Sequence, residues 1–154
     1  MILDIPKIKQ LPNHCIPASL SMVFHYLGYD YSQEEIACWF GYDIAAEGGV
    51  HTRQEIVRCA RAFGFSAQPQ ERIGLEGIMT TIDAGIPVLT VLNDIRYRGA
   101  SHAVVVKGYR TSPNQIIVND PLYKRSRYSY GEFSNRWRIR RKDPMNQYGI
   151  VVHD

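Results

Sequence analysis

Apolar residues recur at helical spacing through the first half of the chain. Between residues 14 and 28, Leu20, Val23, Phe24 and Leu27 fall at i, i+3, i+4 and i+7. This spacing predicts a helix with one buried face. The glycine at position 28 suits the left-handed conformation that ends many helices.

The start of this helix places a cysteine at a reactive position. Pro17 suits the first helical turn, where its missing N–H would have had no partner. Because a residue before proline is driven away from helical dihedrals, Ile16 favours a helix that begins at Pro17, with Cys15 in the last bend before it. There the positive end of the helix dipole would stabilise a thiolate. The alternative is a small buried side chain, the commoner role of a cysteine outside disulfides.

Three further helices are predicted from their start signals and apolar spacing. Residues 32–35 and 52–55 both have the capping-box form, in which a serine or threonine is followed three residues later by glutamate. Each begins an amphipathic segment, and residues 75–84 form a fourth. Residues 43–50, which include two consecutive glycines, are predicted to form a loop.

In the second half of the chain, short β-branched runs replace the helical spacing and predict strands. The turn residues at 111–114 join two of these runs into a hairpin. Helices followed by antiparallel strands indicate an α+β fold, and residues 1–154 are expected to form a single domain. The predicted strands are 65–68, 86–92, 103–106, 115–118, 136–140 and 149–152.

Composition narrows the class of protein. Hydrophobic residues make up 45% of the chain and charged residues 21%, as in ordinary soluble globular proteins. No run is long enough to span a membrane, and the N-terminus lacks a signal-peptide pattern. We therefore expect a cytoplasmic protein, with secretion as an effector left open. The three cysteines show no paired spacing, so neither a disulfide framework nor a metal or cofactor site is predicted.

The net charge of +3 conceals a basic segment between residues 124 and 142. Such a segment could bind nucleic acid, anionic lipid or an acidic peptide, although a solvated surface is the commoner case. From the start of the basic cluster at 136–142 to residue 154, the chain has only two aromatic residues, Trp137 and Tyr148. Nucleic-acid binding is therefore not expected.

A nucleophilic cysteine needs a base within hydrogen-bond reach and a third group that orients the base. Among the five histidines, His102 stands at the start of a predicted buried strand. If the hairpin turn centres near Thr111, His102 lies opposite Asp120, with their Cβ atoms about 5 Å apart. A slip of one residue would bring Asn119 or Pro121 opposite His102 instead.

Acyl transfer at a thiolate also needs donors for the developing oxyanion. The backbone N–H of Cys15 is one candidate. The side-chain amide of Gln10 is a second, and Asn13 is a weaker one. Taken singly, His102 could be a strand residue with satisfied hydrogen bonds and Asp120 a turn residue before proline.

Taken together and in order, these residues resemble the bacteriocin-processing, double-glycine-leader cysteine peptidases and their stand-alone relatives in the papain-like superfamily. The resemblance spans roughly residues 8–125. It implies a helical half with the nucleophile Cys15, packed on a sheet half with the cleft between them. It also implies His102 as general base and acid, Asp120 as the orienting carboxylate and Gln10 as the oxyanion-hole residue. The implied substrate is a peptide or protein, cleaved without a cofactor. The motifs that carry the resemblance are Gln10, the segment 15–28, the segment 102–109 and the segment 118–121.

One residue departs from the family pattern. These peptidases usually have glycine directly after the nucleophile, where it lets the substrate backbone approach, and this chain has Ile16. The alternative to a cysteine peptidase is therefore a catalytically impaired papain-like module that binds peptides. The substrate sequence, the oligomeric state and the choice between hydrolysis and transpeptidation stay open.

Overall fold

The computed structural model describes residues 1–41, 52–93, 101–137 and 147–154. Within these ranges, helices pack on one antiparallel sheet, so the predicted α+β class is confirmed. None of the described helices is long and apolar enough to cross a membrane. The helices are α1 (Cys15–Tyr26), α2 (Gln33–Phe40), α3 (Arg53–Ala62), α4 (Gly74–Asp83) and α5 (Tyr130–Trp137). The strands are β1 (Ser66–Gln70), β2 (Val88–Asn93), β3 (Ser101–Thr111), β4 (Asn114–Asn119), β5 (Arg127–Ser129) and β6 (Gly149–His153).

The sheet has the strand order β1-β6-β2-β3-β4-β5, and all of its pairings are antiparallel. Helix α1 packs against β3 near the middle of the sheet, and α2 packs against α1. The side chains of α1 and β3 between them form much of the core. The helix that carries Cys15 therefore lies on the strand that carries His102.

Both predicted capping boxes are confirmed. Ser32 Oγ accepts a hydrogen bond from the N–H of Glu35 at 3.1 Å, and Thr52 Oγ1 accepts one from Glu55 at 3.2 Å. Each glutamate in turn accepts a hydrogen bond from the N–H of its cap residue. The predicted loop at 43–50 lies outside the described residues.

Helix α1 begins two residues earlier than predicted. Its first residue is Cys15 rather than Pro17, and the N–H of Ala18 donates to the carbonyl of His14 at 2.8 Å. Pro17 is still in the first turn, where its missing N–H is not needed. The side chain of Ile16 is buried in the core, and this burial favours the helical backbone that a residue before proline otherwise avoids.

The predicted strand at 136–140 is wrong at its first two residues, which are the ones that the structure describes. Arg136 and Trp137 end helix α5, and residues 138–140 lie outside the described ranges. Phe133 and Trp137 are both buried and four residues apart, which is helical spacing. Trp137 Nε1 also donates to the buried Thr90 Oγ1 at 2.7 Å, a contact with β2 that the alternating basic residues gave no reason to expect. The short strand β5 was not predicted.

The hairpin forms where predicted, but its register differs by two residues at the His102 end. Thr111 pairs with Asn114, so the turn lies at 112–113. Towards the other end Val105 pairs with Asn119, and the same pairing continued by one residue sets Asp120 opposite Val104 rather than His102. Because side chains alternate with period two, this shift leaves His102 and Asp120 on the same face of the sheet.

Candidate active site

Cys15 lies at the N-terminus of α1 and is partly exposed. No side chain caps this end of the helix, and the first turn contains no acidic residue. The partial positive charge of the helix end is therefore not offset by a carboxylate of its own first turn. The positive end of the α1 dipole therefore lies at Cys15.

His102 is held in the interior of the sheet. It pairs with Leu92 of β2 and is 3% exposed. Its Nε2 lies 2.6 Å from Oδ1 of Asp120, which is 1% exposed. A hydrogen bond of this length to a carboxylate, shielded from water, is among the stronger kinds in proteins.

The backbone that follows Asp120 fixes its carboxylate. Oδ1 also accepts hydrogen bonds from the N–H of Leu122 at 2.8 Å and the N–H of Tyr123 at 2.9 Å. Aspartate before a turn commonly bonds the backbone two residues on. The ring of Tyr123 packs edge-on with the ring of His102, with centroids 5.4 Å apart. The turn therefore orients both the carboxylate and the imidazole.

Cys15 lies close enough to His102 to raise its pKa. Burial lowers the pKa of His102, but the hydrogen bonds with Asp120 and Cys15 and the charges of both groups outweigh it. Together they raise the pKa of His102 from 6.5 to about 9. Near neutral pH the imidazole therefore holds its proton.

Gln10 lies beside the loop that carries Asp120. Its backbone N–H donates to the carbonyl of Pro121 at 2.8 Å. Oε1 of Gln10 is buried and has no hydrogen-bond partner among the described residues. Asn13, the weaker candidate, is exposed and has a left-handed backbone with φ of 60°.

The other described histidines have local partners. Nδ1 of His14, next to Cys15 in sequence, lies 2.7 Å from the carbonyl of Pro12. Nε2 of His25 lies 2.6 Å from Oδ1 of Asp30 near the other end of α1. His51 lies outside the described residues. Within the described ranges no group of three histidine, cysteine or acidic side chains could hold a metal ion.

The comparison with protein families decides where the chain belongs. A family model described as the Peptidase_C39 like family matches residues 2–145. The chain belongs to this family. A search of curated proteins finds no match.

Solved structures of peptidases share the fold of this Peptidase_C39-like chain. A C39-like peptidase from Bacillus anthracis superposes with a TM-score of 0.72 at 17% identity, over 99% of this chain and 97% of that chain. The peptidase domain of Streptococcus ComA, a bifunctional ABC transporter of a quorum sensing pathway, has a TM-score of 0.67 at 21% identity, over 96% of both chains. A double glycine motif protease from an AMS/PCAT transporter, in complex with the leader peptide, has a TM-score of 0.68 at 17% identity, over 98% of this chain and 92% of that chain. The papain-like fold prediction is confirmed.

In this member of the C39-like family, two contacts of the site were not predicted from sequence. These are the backbone N–H groups of Leu122 and Tyr123 on Asp120, and the Tyr123 ring beside His102. The turn preference of an aspartate before proline was a signal for the first. The second depends on how the turn folds back over β3, for which local sequence holds no signal.

Proposed function

We propose that this protein is a cysteine peptidase that hydrolyses peptide bonds with Cys15 as nucleophile. In this proposal His102 is the general base and acid, Asp120 orients it and Gln10 helps to bind the oxyanion. The observation that carries the proposal is that Cys15, at the uncapped start of α1, lies close enough to the buried His102–Asp120 pair to raise the pKa of His102. Residues 1–154 would act as one peptidase domain.

The chemistry follows from these positions. The Cys15 thiolate attacks the carbonyl carbon of the scissile bond, and a carbon–sulfur bond forms as the carbonyl oxygen becomes an oxyanion. The protonated His102 donates its proton to the amine, the carbon–nitrogen bond breaks and a thioester remains. Neutral His102 then takes a proton from water, which attacks the thioester and releases the acid and the thiolate.

The oxyanion needs donors that are in place before the reaction. The N–H of Cys15 is one, because it belongs to the first turn of α1, where backbone N–H groups have no partner within the helix. The Nε2 amide group of Gln10 is proposed as the other. Removing one such donor in other enzymes lowers kcat by about 10²- to 10³-fold.

The burial of Ile16 favours catalysis over a binding module without activity. Its side chain is 8% exposed and belongs to the main core cluster with Leu20 and Val23. An isoleucine that packs inward occupies little of the space above the thiol of Cys15. The departure from glycine is therefore compatible with approach of a substrate.

The substrate is proposed to be an extended peptide or a flexible protein segment. This proposal draws on the related double glycine motif protease, whose structure holds a leader peptide. A suitable probe is a library of synthetic peptides that includes internal Gly-Gly sequences, each paired with an Ala-Ala counterpart. New termini are detected by mass spectrometry.

The deciding experiment compares cysteine variants on this library. Cys15→Ser is expected to lower cleavage by more than about 10³-fold, whereas Cys38→Ser, a change at an exposed thiol, keeps wild-type rates. Cleavage that survives Cys15→Ser, or its absence in the wild-type protein, contradicts the proposal. Peptides that bind but stay intact, with equal affinity for wild type and Cys15→Ala, favour the binding module instead.

A further inference from the structure

The buried side chain of Gln33 forms hydrogen bonds with the backbone of the residues before and after Gln10. Nε2 of Gln33 donates to the carbonyl of Lys9 at 2.9 Å, and Oε1 of Gln33 accepts from the N–H of Leu11 at 2.9 Å. Gln33 is 8% exposed, so water has little access to either hydrogen bond. We propose that Gln33 is a positioning residue that holds Gln10 in place for oxyanion binding. This inference rests on the proposed function.

The opposite edge of the same segment is bonded as well. The N–H of Gln10 donates to the carbonyl of Pro121 at 2.8 Å. The segment is therefore held on one side by Gln33 and on the other by the turn after Asp120, as an inner strand of a sheet is held by its two neighbours. The amide of Gln33 takes the place of one neighbouring strand.

This arrangement limits how the side chain of Gln10 can move. Side chains on an extended backbone stand roughly perpendicular to the plane of its hydrogen bonds. Three bonds over three consecutive residues fix that plane, and hence the direction of the Gln10 Cα–Cβ bond. Without Gln33 the segment is anchored on one edge only and can rotate about the bond to Pro121.

Gln33 is itself placed by a rigid element. It is the first residue of α2, directly after Ser32, whose side chain caps the helix in the capping box with Glu35. Helix α2 packs on α1, the helix that begins with Cys15. The Gln33 side chain therefore fixes the position of the Gln10 segment relative to α1, the helix of the nucleophile. An oriented hydrogen-bond donor requires this kind of support.

The first test is a double-mutant cycle between Gln33 and Gln10. Gln33→Ala is expected to lower kcat by about 10-fold with little change in KM, because a displaced donor weakens transition-state binding alone. In a Gln10→Ala background the same change is expected to cost less than about 2-fold. Equal losses in both backgrounds would contradict the proposal, because they would show that Gln33 acts through stability or another residue.

A matched control removes a similar tether far from the site. Arg61 binds the carbonyl of Ala67 through Nε at 3.1 Å and one terminal nitrogen at 2.9 Å, also two side-chain bonds to backbone. Arg61→Ala is expected to change the melting temperature without changing kcat. If Gln33→Ala lowers kcat no more than Arg61→Ala does, the proposal is overturned.

A second readout does not depend on turnover. In Gln33→Ala the amide hydrogen of Leu11 is expected to exchange at least 10-fold faster than in wild type, and the side-chain amide of Gln10 to become more mobile by ¹⁵N relaxation. Gln33→Glu keeps an acceptor for Leu11 but sets a carboxylate oxygen against the carbonyl of Lys9, so exchange faster than in wild type is expected here too. Unchanged exchange and relaxation in Gln33→Ala would refute this inference, whereas a wild-type protein without cleavage would refute only the proposed function.

Discussion

Nε2 of His102 and Oδ1 of Asp120 lie 2.6 Å apart because β3 contains one extra residue. Val106 pairs with Val118 and Gly108 with Ile117, so Lys107 forms a bulge. Without it, the pairing from the hairpin end would set Asp120 opposite residue 105 and turn His102 and Asp120 to opposite faces of the sheet. The bulge therefore decides whether these two side chains can meet.

The three cysteines provide an internal comparison of thiol reactivity. Cys15 lies close enough to His102 to raise its pKa, Cys38 is exposed, and burial raises the pKa of Cys59 to about 12. At pH 6 we expect iodoacetamide to alkylate Cys15 at least about 10-fold faster than Cys38, and Cys59 not at all, because only the thiolate reacts. Peptide mass spectrometry measures all three sites in one sample. His102→Gln should remove the difference, and equal rates at Cys15 and Cys38 in wild type would argue against an activated thiol.

Asp120→Asn is expected to reverse the balance of influences on His102. The amide oxygen can still accept hydrogen bonds from Leu122 and Tyr123, but the negative charge is gone. The pKa of His102 should then fall well below 9, because burial lowers it and only the influence of Cys15 opposes burial. NMR titration of the imidazole measures this shift, and kcat/KM should fall by about 10²- to 10⁴-fold. A His102 pKa that stays near 9 in this variant would mean that Asp120 is not the main cause of the raised pKa.

The raised pKa of His102 predicts how stability depends on pH. The folded protein binds this proton more tightly than the unfolded chain, since the pKa rises from 6.5 to about 9. The resulting stabilisation, on the order of 3 kcal/mol, is complete below pH 6.5 and is lost as the pH rises through about 9. Urea unfolding of wild type and His102→Gln should show a difference that shrinks over this interval. A difference that grows with pH would contradict the assignment.

Ile16→Gly is expected to lower stability without improving catalysis. The side chain is 8% exposed in the core, so its removal leaves a cavity and also places glycine in a helix. A loss of about 3 to 5 kcal/mol in the free energy of unfolding is expected. Ile16→Val, which removes one methylene group, should cost only about 1 kcal/mol and serves as the graded control. A rise in kcat/KM for a folded Ile16→Gly protein would show instead that this isoleucine hinders the substrate.

Gly108 is required beside the bulge because the N-terminal segment runs against it. Ile2 forms a β-bridge with Gly108, and a Cβ at this position would lie 2.8 Å from the carbonyl oxygen of Met1. Gly108→Ala should destabilise the fold by about 1 to 3 kcal/mol, measured by thermal unfolding. Gly131→Ala in α5 meets no atom within 4 Å and should be neutral or stabilise the protein by up to about 1 kcal/mol. Equal effects of the two substitutions would show that close approach at Gly108 is not the cause.

Much of the fold could be predicted because its signals lie within short segments. The caps at Ser32 and Thr52, the apolar spacing of α1 and the β-branched runs each involve residues a few positions apart. Helix α5 was not predicted because basic and apolar residues alternate around Trp137, a pattern typical of a half-buried strand. The hydrogen bond from Trp137 to Thr90, which stabilises the helix, joins residues that are distant in sequence.

In the candidate site, too, some features follow from local sequence and others only from tertiary contacts. The sequence alone determined that Cys15 lies where a loop meets a helix, that His102 lies on a buried strand and that Asp120 precedes a turn, because each depends on neighbouring residues. Only the tertiary structure decided the hairpin register, the bulge that brings His102 to Asp120 and the amide of Gln33 on the backbone beside Gln10. These contacts join segments far apart in the chain. Their geometry depends on how the helices pack on the sheet, which no local pattern encodes.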